Sequence, residues 1–182
     1  QLSQGTPEGT QAKFDDLMNK YIAEGKLVWS SPKIQTQMGA KDALVNIGKL
    51  NCGLEDTFAF YSEEELVTGF KKTMAFQPRV IKQNRGSAGE GIWLVWALAK
   101  GGTKVKKAAF SLGADGKPAA GIEFCPKGGL PPYCSKLGEA LLDDDDMLKL
   151  MEMNDNHVEY HTLGEFLTFC VDGPSGAGAG DW

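Results

Sequence analysis

The segment richest in chemistry is Arg79-Val80-Ile81-Lys82-Gln83-Asn84-Arg85-Gly86-Ser87-Ala88-Gly89-Glu90-Gly91-Ile92-Trp93. A lysine closes a β-rich run, three glycines with Ser87 and Ala88 form a short loop, and a second β-rich run leaves it. Glycines leave room for backbone N–H groups to converge on an anion. The lysine adds a mobile ammonium that neutralises phosphate charge. A hairpin of this kind can close as a flap over a nucleotide's phosphates. The plainer alternative is a tight hairpin whose glycines serve only the turn. Such a turn needs one or two glycines, whereas three stand here with Lys82 and Arg85 beside them. Arg85 can contact phosphate or an acidic neighbour.

The order of residues excludes the better-known phosphate loops. In a Walker A loop the lysine follows the glycines and a helix opens at once. Here the lysine precedes them, and Ile92, Trp93, Val95 and Trp96 favour an extended chain. The dinucleotide-binding fingerprint fails on its spacing and on the missing helix. A protein-kinase loop has its lysine on a later strand, and none of the kinase catalytic signatures is present.

Other clusters have simpler explanations. His157 and His161 lie four apart, near Glu152, Asp155, Glu159 and Cys170; on a helix that spacing could bring two ligands to one metal. The run His157-Val158-Glu159-Tyr160-His161 is not the zincin motif, its glutamate standing one place late. Surface or cap-region histidines are the expectation. Asp143 to Asp146 lack the alternation and the glycine of a calcium loop and are expected as a solvated turn or an acidic helix start. Trp93 and Trp96 are expected on opposite faces of one strand.

These residues need elements to place them. Phe14, Leu17, Met18, Tyr21 and Ile22 recur at helical spacing with one buried face, and Gly25 is placed to end that helix. Leu27 to Trp29 reads as a short strand and Ser31-Pro32 as a turn. Lys41 to Leu50 reads as a second helix with Leu44, Ile47 and Leu50 inward. Ser62 and Glu65 form a capping box opening a helix that carries Leu66, Phe70 and Met74, and Pro78 closes that region. Strands follow at 80–83 and 92–98, then a hairpin from Val105 to Phe124 turning at Asp115-Gly116. After a Pro/Gly loop, Thr162 and Glu165 cap a last helix through Phe166, Phe169 and Cys170. Helices followed by an antiparallel sheet and then mixed elements predict an α+β fold. The expected organisation is a flexible segment over 1–12, a domain over 13–171 and a glycine-rich tail over 172–182. Within the domain, 13–77 is mostly helical, 78–125 is antiparallel sheet with the glycine-rich loop, and 126–171 is mixed.

Bulk properties narrow the function classes. The chain has 182 residues, 42% hydrophobic and 24% charged, with a net charge of −5. That composition is ordinary for a globular protein. A non-specific nucleic-acid binder needs a basic surplus, which is absent, so no nucleic-acid partner is expected. The longest apolar run, Ile92 to Ala99, is far short of the roughly 20 residues that span a bilayer, so no membrane partner is expected. The four cysteines, at 52, 125, 134 and 170, form no C-x-x-C pair and are expected to be reduced, in a cytoplasmic setting. The chain opens on Gln1 rather than Met and closes on a linker-like stretch, so both ends are expected to be cuts within a longer protein. An unpaired sheet edge left by such a cut favours self-association.

Taken together, the segments resemble the ATP-grasp family. In that family a strand ending in lysine leads into a flexible glycine-rich loop, and a second basic residue stands some forty residues upstream at a helix start. Here Lys82 precedes Gly86-Ser87-Ala88-Gly89-Glu90-Gly91, and Lys41 stands in Met38-Gly39-Ala40-Lys41-Asp42-Ala43-Leu44. Between them Thr57 and Tyr61-Ser62-Glu63-Glu64-Glu65-Leu66 are similar to the threonine and helix that precede the family's lysine strand. The resemblance runs from about Trp29 to Val95. Lys41 on its own would be an ordinary solvated helix residue; its distance from Lys82 gives it a role.

The resemblance implies an ATP-grasp-like fold incomplete on its C-terminal side, with ATP as cofactor. Lys41 and Lys82 would hold its phosphates, and Gly86, Ser87, Ala88, Gly89 and Gly91 would close over them. The implied reaction is that of an ATP-dependent carboxylate–amine ligase working through an acyl phosphate, with an unknown carboxylate substrate. Mg2+ would be held by an acidic residue and an Asp/Glu–x–Asn pair on late strands. Glu152-Met153-Asn154 has those letters but is expected before a helix rather than at the end of a core strand. The magnesium ligands are therefore expected in a missing C-terminal part, with this chain inactive alone. The alternative is a non-catalytic module, a truncated copy that keeps the nucleotide flap and acts in protein interaction. A third possibility is a metal-binding protein using His157, His161 and Cys170.

Overall fold

A computed structural model describes residues 7–38, 40–48, 50–54, 56–74, 78–84, 91–124, 141–154 and 156–172. The chain divides into two compact units, Gln1–Ala59 and Phe60–Trp182. The fold mixes helices with an antiparallel sheet and is α+β. No helix among the described residues is long and apolar enough to cross a membrane.

The first unit holds three helices, α1 (Thr10–Ala23), α2 (Pro32–Met38) and α3 (Ala43–Asn46). α1 begins inside the segment expected to be flexible and ends where Gly25 predicts, with Gly25 N–H donating to the Ile22 carbonyl at 2.9 Å. Its apolar stripe is not buried; Leu17 and Ile22 are exposed. Leu27 to Trp29 form no strand, and both Leu27 and Trp29 are exposed. Ser31-Pro32 is a helix start rather than a turn, because proline suits the first helical position, where its missing N–H costs nothing. The helix expected over 41–50 shrinks to four residues. Beyond it Leu50 N–H donates to Ile47 and Gly53 N–H to Leu50, which folds the chain back on the helix end. Ala43 is the buried residue there, while Leu44 and Leu50 are exposed.

The second unit is built on one sheet. Its central path is β1 (Arg79–Lys82), β2 (Ile92–Lys100), β5 (Met147–Glu152) and β6 (Val158–Thr162), all antiparallel neighbours in that order. Two short strands, β3 (Thr103–Lys104) and β4 (Glu123–Phe124), pair with the far end of β2. The β2–β3 hairpin turns on Gly101 and Gly102, both at positive φ (59° and 80°), as a two-residue turn with the twist of its strands demands. The hairpin expected over 105–124 is reduced to one bridge, Leu112 to Pro118, around Asp115-Gly116. The tight turn lies fourteen residues earlier than its Asp-Gly signal suggests, because Gly-Gly fits a continuous strand pair directly.

Two helices pack on one face of the sheet. α4 (Glu63–Met74) buries Leu66, Phe70 and Met74, as its spacing predicts. Its acidic first turn and basic last turn complement the helix dipole. Glu65 N–H donates to Ser62 Oγ at 3.2 Å, and the Glu65 carboxylate accepts Tyr61 N–H at 2.9 Å. α5 (Leu163–Asp172) has the full reciprocal box: Glu165 N–H donates to Thr162 Oγ1 at 3.1 Å and Thr162 N–H to Glu165 Oε2 at 2.9 Å. These helices cover Ile81, Val95, Ala97, Ala99, Leu148 and Leu150, with the Trp93, Phe166 and Phe169 rings closing the layer. Strand alternation therefore assigns the sheet two faces. One is the helix-covered core; the other carries the even-numbered residues of β1 and β2.

Candidate functional site: the outer sheet face at the neck of the glycine-rich loop

Lys82 is the last residue of β1 and pairs with Ile92. Ile81 faces the helices, so alternation puts Lys82 on the outer face. The register extends that face across the sheet. Leu94 pairs with Met151, Trp96 with Lys149, and Lys149 with Tyr160. The distal end of this face is closed by a second small core of Leu98, Val105 and Met147 with Phe110, Ile122 and Tyr160. Nearer the loop, Ile92, Leu94, Trp96, Lys149 and Met151 are half-buried. The Lys149 ammonium lies over the Trp96 ring, 4.9 Å from its centroid. Desolvation by burial lowers the Lys149 pKa below its ordinary 10.5, and burial raises that of Tyr160 above 10.0. Two lysines thus share a face floored by one indole and aliphatic side chains.

The neck of the loop is defined on both sides. Gln83 N–H donates to the Gly91 carbonyl at 2.8 Å, and Gly91 N–H donates to Glu152 Oε1 at 3.3 Å. Gly91 has φ 63°, and a Cβ there would meet Gln83 Oε1 at 2.8 Å and Gln83 Cβ at 2.9 Å. Both conditions require glycine. Of the residues expected to hold phosphate, Lys82 and Gly91 are brought together by the β1–β2 pairing. Lys41 lies in the first unit, in the turn entering α3, where its carbonyl accepts Leu44 N–H at 3.0 Å. Arg85, Gly86, Ser87, Ala88 and Gly89 lie outside the described residues.

The segment Glu152-Met153-Asn154 is not ahead of a helix, contrary to expectation. Glu152 ends the core strand β5, and the hairpin into β6 follows it. Glu152 pairs with Trp93 on the helix side of the sheet, the face opposite Lys82, and its carboxylate is engaged by Gly91. No group of three His, Cys, Asp or Glu among the described residues could hold a metal ion. Glu152 and Asn154 thus do not fit a magnesium site serving phosphates at Lys82.

The other clusters resolve into structural roles. His157 and His161 are not on a helix: His157 precedes β6 and His161 lies on it, with His161 Nε2 3.0 Å and His157 Nε2 3.5 Å from the Glu159 carboxylate. Cys170 is fully buried in the core, its pKa pushed up to about 12 by desolvation, which removes it as a thiolate ligand. Asp143 to Asp146 are neither an exposed turn throughout nor a helix start. Asp146 is buried, 2.9 Å from Lys106 and 3.4 Å from Lys104, and Asp144 pairs with Lys71 at 2.7 Å. The Asp146 and Asp144 carbonyls accept the Leu163 and Gly164 N–H groups at the start of α5. Cys125 and Cys134 lie outside the described residues; Cys52 and Cys170 are free.

Sequence reasoning missed Lys149, Gln83 and the contact of Glu152 with Gly91. The run Met147-Leu148-Lys149-Leu150-Met151 held a signal for the first, a lone lysine in an otherwise apolar strand. No protein-family model, no curated protein and no solved structure matches this chain.

Proposed function

We propose that this chain binds ATP on the outer sheet face, in the manner of ATP-grasp enzymes, as part of an ATP-dependent carboxylate–amine ligase. The observation that carries the proposal is the placement of Lys82. It ends a strand at the closed neck of a glycine-rich loop, on a face that also presents Lys149 and the Trp96 ring. Lys82 and Lys149 supply positive charge for phosphates, and Leu94, Trp96 and Met151 offer an apolar floor for a purine ring. In the reaction class proposed, a substrate carboxylate oxygen attacks the γ-phosphorus of ATP and ADP leaves. An amine then attacks the acyl phosphate and releases phosphate. The contribution of Lys82 and Lys149 is charge neutralisation and alignment.

A second reading, nucleotide binding without turnover, is favoured by one observation: no described strand residue on the Lys82 face is a carboxylate. Thermal melting with and without millimolar Mg-ATP tests the binding. At a hundred times Kd the ligand adds about 2.7 kcal/mol, several degrees in a chain of this size. The shift is expected for the wild type and lost in Lys82→Ala; a well-folded wild type whose midpoint does not move refutes the proposal. ATP turnover in the same samples separates the ligase from the non-catalytic module.

A further inference from the structure

β6 is the last strand on the sheet's central path, and among the described residues it pairs with β5 alone. Its ladder fixes which backbone groups point outward. Leu163 N–H donates to the Asp146 carbonyl at 2.8 Å, one step beyond the Met147–Thr162 pair. Met147 N–H donates away from β6, to the Val105 carbonyl at 2.8 Å. Bonding alternates along an antiparallel pair, so Glu159 and His161 direct their N–H and C=O groups to β5, while Val158 and Tyr160 turn theirs to the open edge. Thr162 turns outward too: the Glu165 carboxylate accepts its N–H at 2.9 Å, and its carbonyl faces the edge. The side chains of Glu159 and His161 share the helix side of the strand, 40% and 45% exposed. His161 Nε2 lies 3.0 Å from Glu159 and its Nδ1 3.7 Å from Glu165.

We propose that the β6 edge docks against β6 of a second copy of this chain, antiparallel and centred on Tyr160. Two observations carry it: the direction of the edge's backbone groups and the order Glu159-Tyr160-His161. About a two-fold axis at Tyr160, this residue exchanges both backbone bonds with Tyr160 of the second copy, and Val158 N–H reaches the Thr162 carbonyl, twice by symmetry. The pair between them is the closer, non-hydrogen-bonded kind, and it sets Glu159 opposite His161 of the second copy, again twice. Neighbouring registers fail. A shift of one place opposes the outward groups to residues whose groups β5 already engages. A shift of two places opposes Glu159 to Glu159 or His161 to His161. The strand thus complements itself, which is why a second copy, and not an unrelated strand, is its occupant. Lys82 stands on β1, at the other end of the strand order, so the docking does not depend on the nucleotide reading.

The test uses the full chain and two readouts. Sedimentation equilibrium at loadings from about 10 to 500 μM is expected to show monomer and dimer exchanging with a Kd of about 100 μM, as suits a pairing with few hydrogen bonds. A chain that stays monomeric at the top of that range overturns the proposal. Val158→Pro removes an outward N–H, which an edge strand tolerates. It is expected to weaken the dimer at least about tenfold and to keep the melting midpoint of the dilute chain; a dimer that survives it unchanged overturns the β6 edge as the site. Cross-linking reads the register without proline. A Glu159→Cys chain is mixed with a His161→Cys chain, which places the two thiols on a close pair with Cα atoms about 4.5 Å apart, within disulfide range. Under mild oxidation the peptide joining positions 159 and 161 is expected to form about tenfold faster than a 159–159 or 161–161 link. Homotypic links forming as fast as the mixed one overturn the register centred on Tyr160.

Discussion

The Lys149 ammonium lies 4.9 Å from the centroid of the Trp96 ring, across the β2–β5 pair and on the same sheet face as Lys82. Burial opposes the charge on Lys149 and lowers its pKa below 10.5, while the indole face attracts it. The unfolded chain therefore holds more protons than the folded one between the lowered value and 10.5, so this group's contribution to stability rises with pH through that window. Lys149→Met is expected to remove that rise. Urea denaturation at several pH values between 8 and 10.5 checks it, and the difference between the two proteins isolates Lys149 from Tyr160, whose raised pKa acts above 10.0 with the opposite sign.

At Gly91 the backbone and the space around it make the same demand. An alanine at φ 63° is strained in itself, and its Cβ would press on the Gln83 side chain. Gly91→Ala is expected to destabilise the second unit by about 1–2 kcal/mol. Its midpoint in denaturant should fall with little change in slope. A melt equal to the wild type would mean that the neck adopts another geometry.

The second unit was far more legible in the sequence than the first. Its capping boxes, Ser62 with Glu65 and Thr162 with Glu165, and the apolar spacing of Leu66, Phe70 and Met74 point to helices that the sheet then buries. Periodicity there reports a real core. In the first unit the same signal at Leu17 and Ile22 leads to exposed side chains, since spacing marks an apolar stripe without saying what covers it. β5 and β6 were not foreseen: Met147 to Met151 is almost wholly apolar, as suits a central strand, and lacks the alternation that announces a half-exposed one. That omission hid Lys149 and put Glu152 and both histidines in the wrong surroundings. Lys82 was legible because its strand and loop are contiguous in the chain. The Glu152 contact joins residues that only the fold brings together.

Glu165 links the α5 cap to Lys107, which makes a close ion pair with its carboxylate. That pair first, and then the Thr162 N–H, lower its pKa from 4.5 to about 2. A depressed carboxylate contributes stability above its unfolded value and loses it as pH falls through the folded one, so the loss spans pH 4.5 to about 2. Glu165→Gln is expected to flatten acid unfolding in that range. Because the pair is partly exposed, the difference should shrink in about 1 M salt.

Cys170 and Cys52 should separate cleanly in reactivity. Only the thiolate attacks an alkylating reagent, and burial in the helix–sheet core pushes the Cys170 pKa up to about 12, while Cys52 is exposed. Iodoacetamide at neutral pH is expected to modify Cys52 in the native chain and Cys170 only after denaturation, as read by peptide mass. Native labelling of Cys170 would show that α5 leaves the sheet.

Asp146 is the charge on which the acidic run depends. It is buried between Lys106 at 2.9 Å and Lys104 at 3.4 Å, accepts Asp143 N–H at 2.7 Å, and through its carbonyl holds Leu163 at the start of α5. Truncation to alanine leaves the Asp143 N–H without its acceptor and takes the buried carboxylate from both lysines, although Lys106 keeps Asp143 at 2.7 Å and Lys104 keeps the Leu141 carbonyl. Losing one side of a buried ion pair costs about 3 kcal/mol. For a chain of this size that is a fall of roughly 6–12 °C in melting midpoint. Asp144→Ala breaks only the more exposed pair with Lys71 and is expected to cost about 0.5 kcal/mol. Asp146→Asn keeps oxygen and nitrogen where the carboxylate stood but loses the charge, so it should fall between the two. Equal melts for the two alanine variants would show that the run acts as a solvated surface after all.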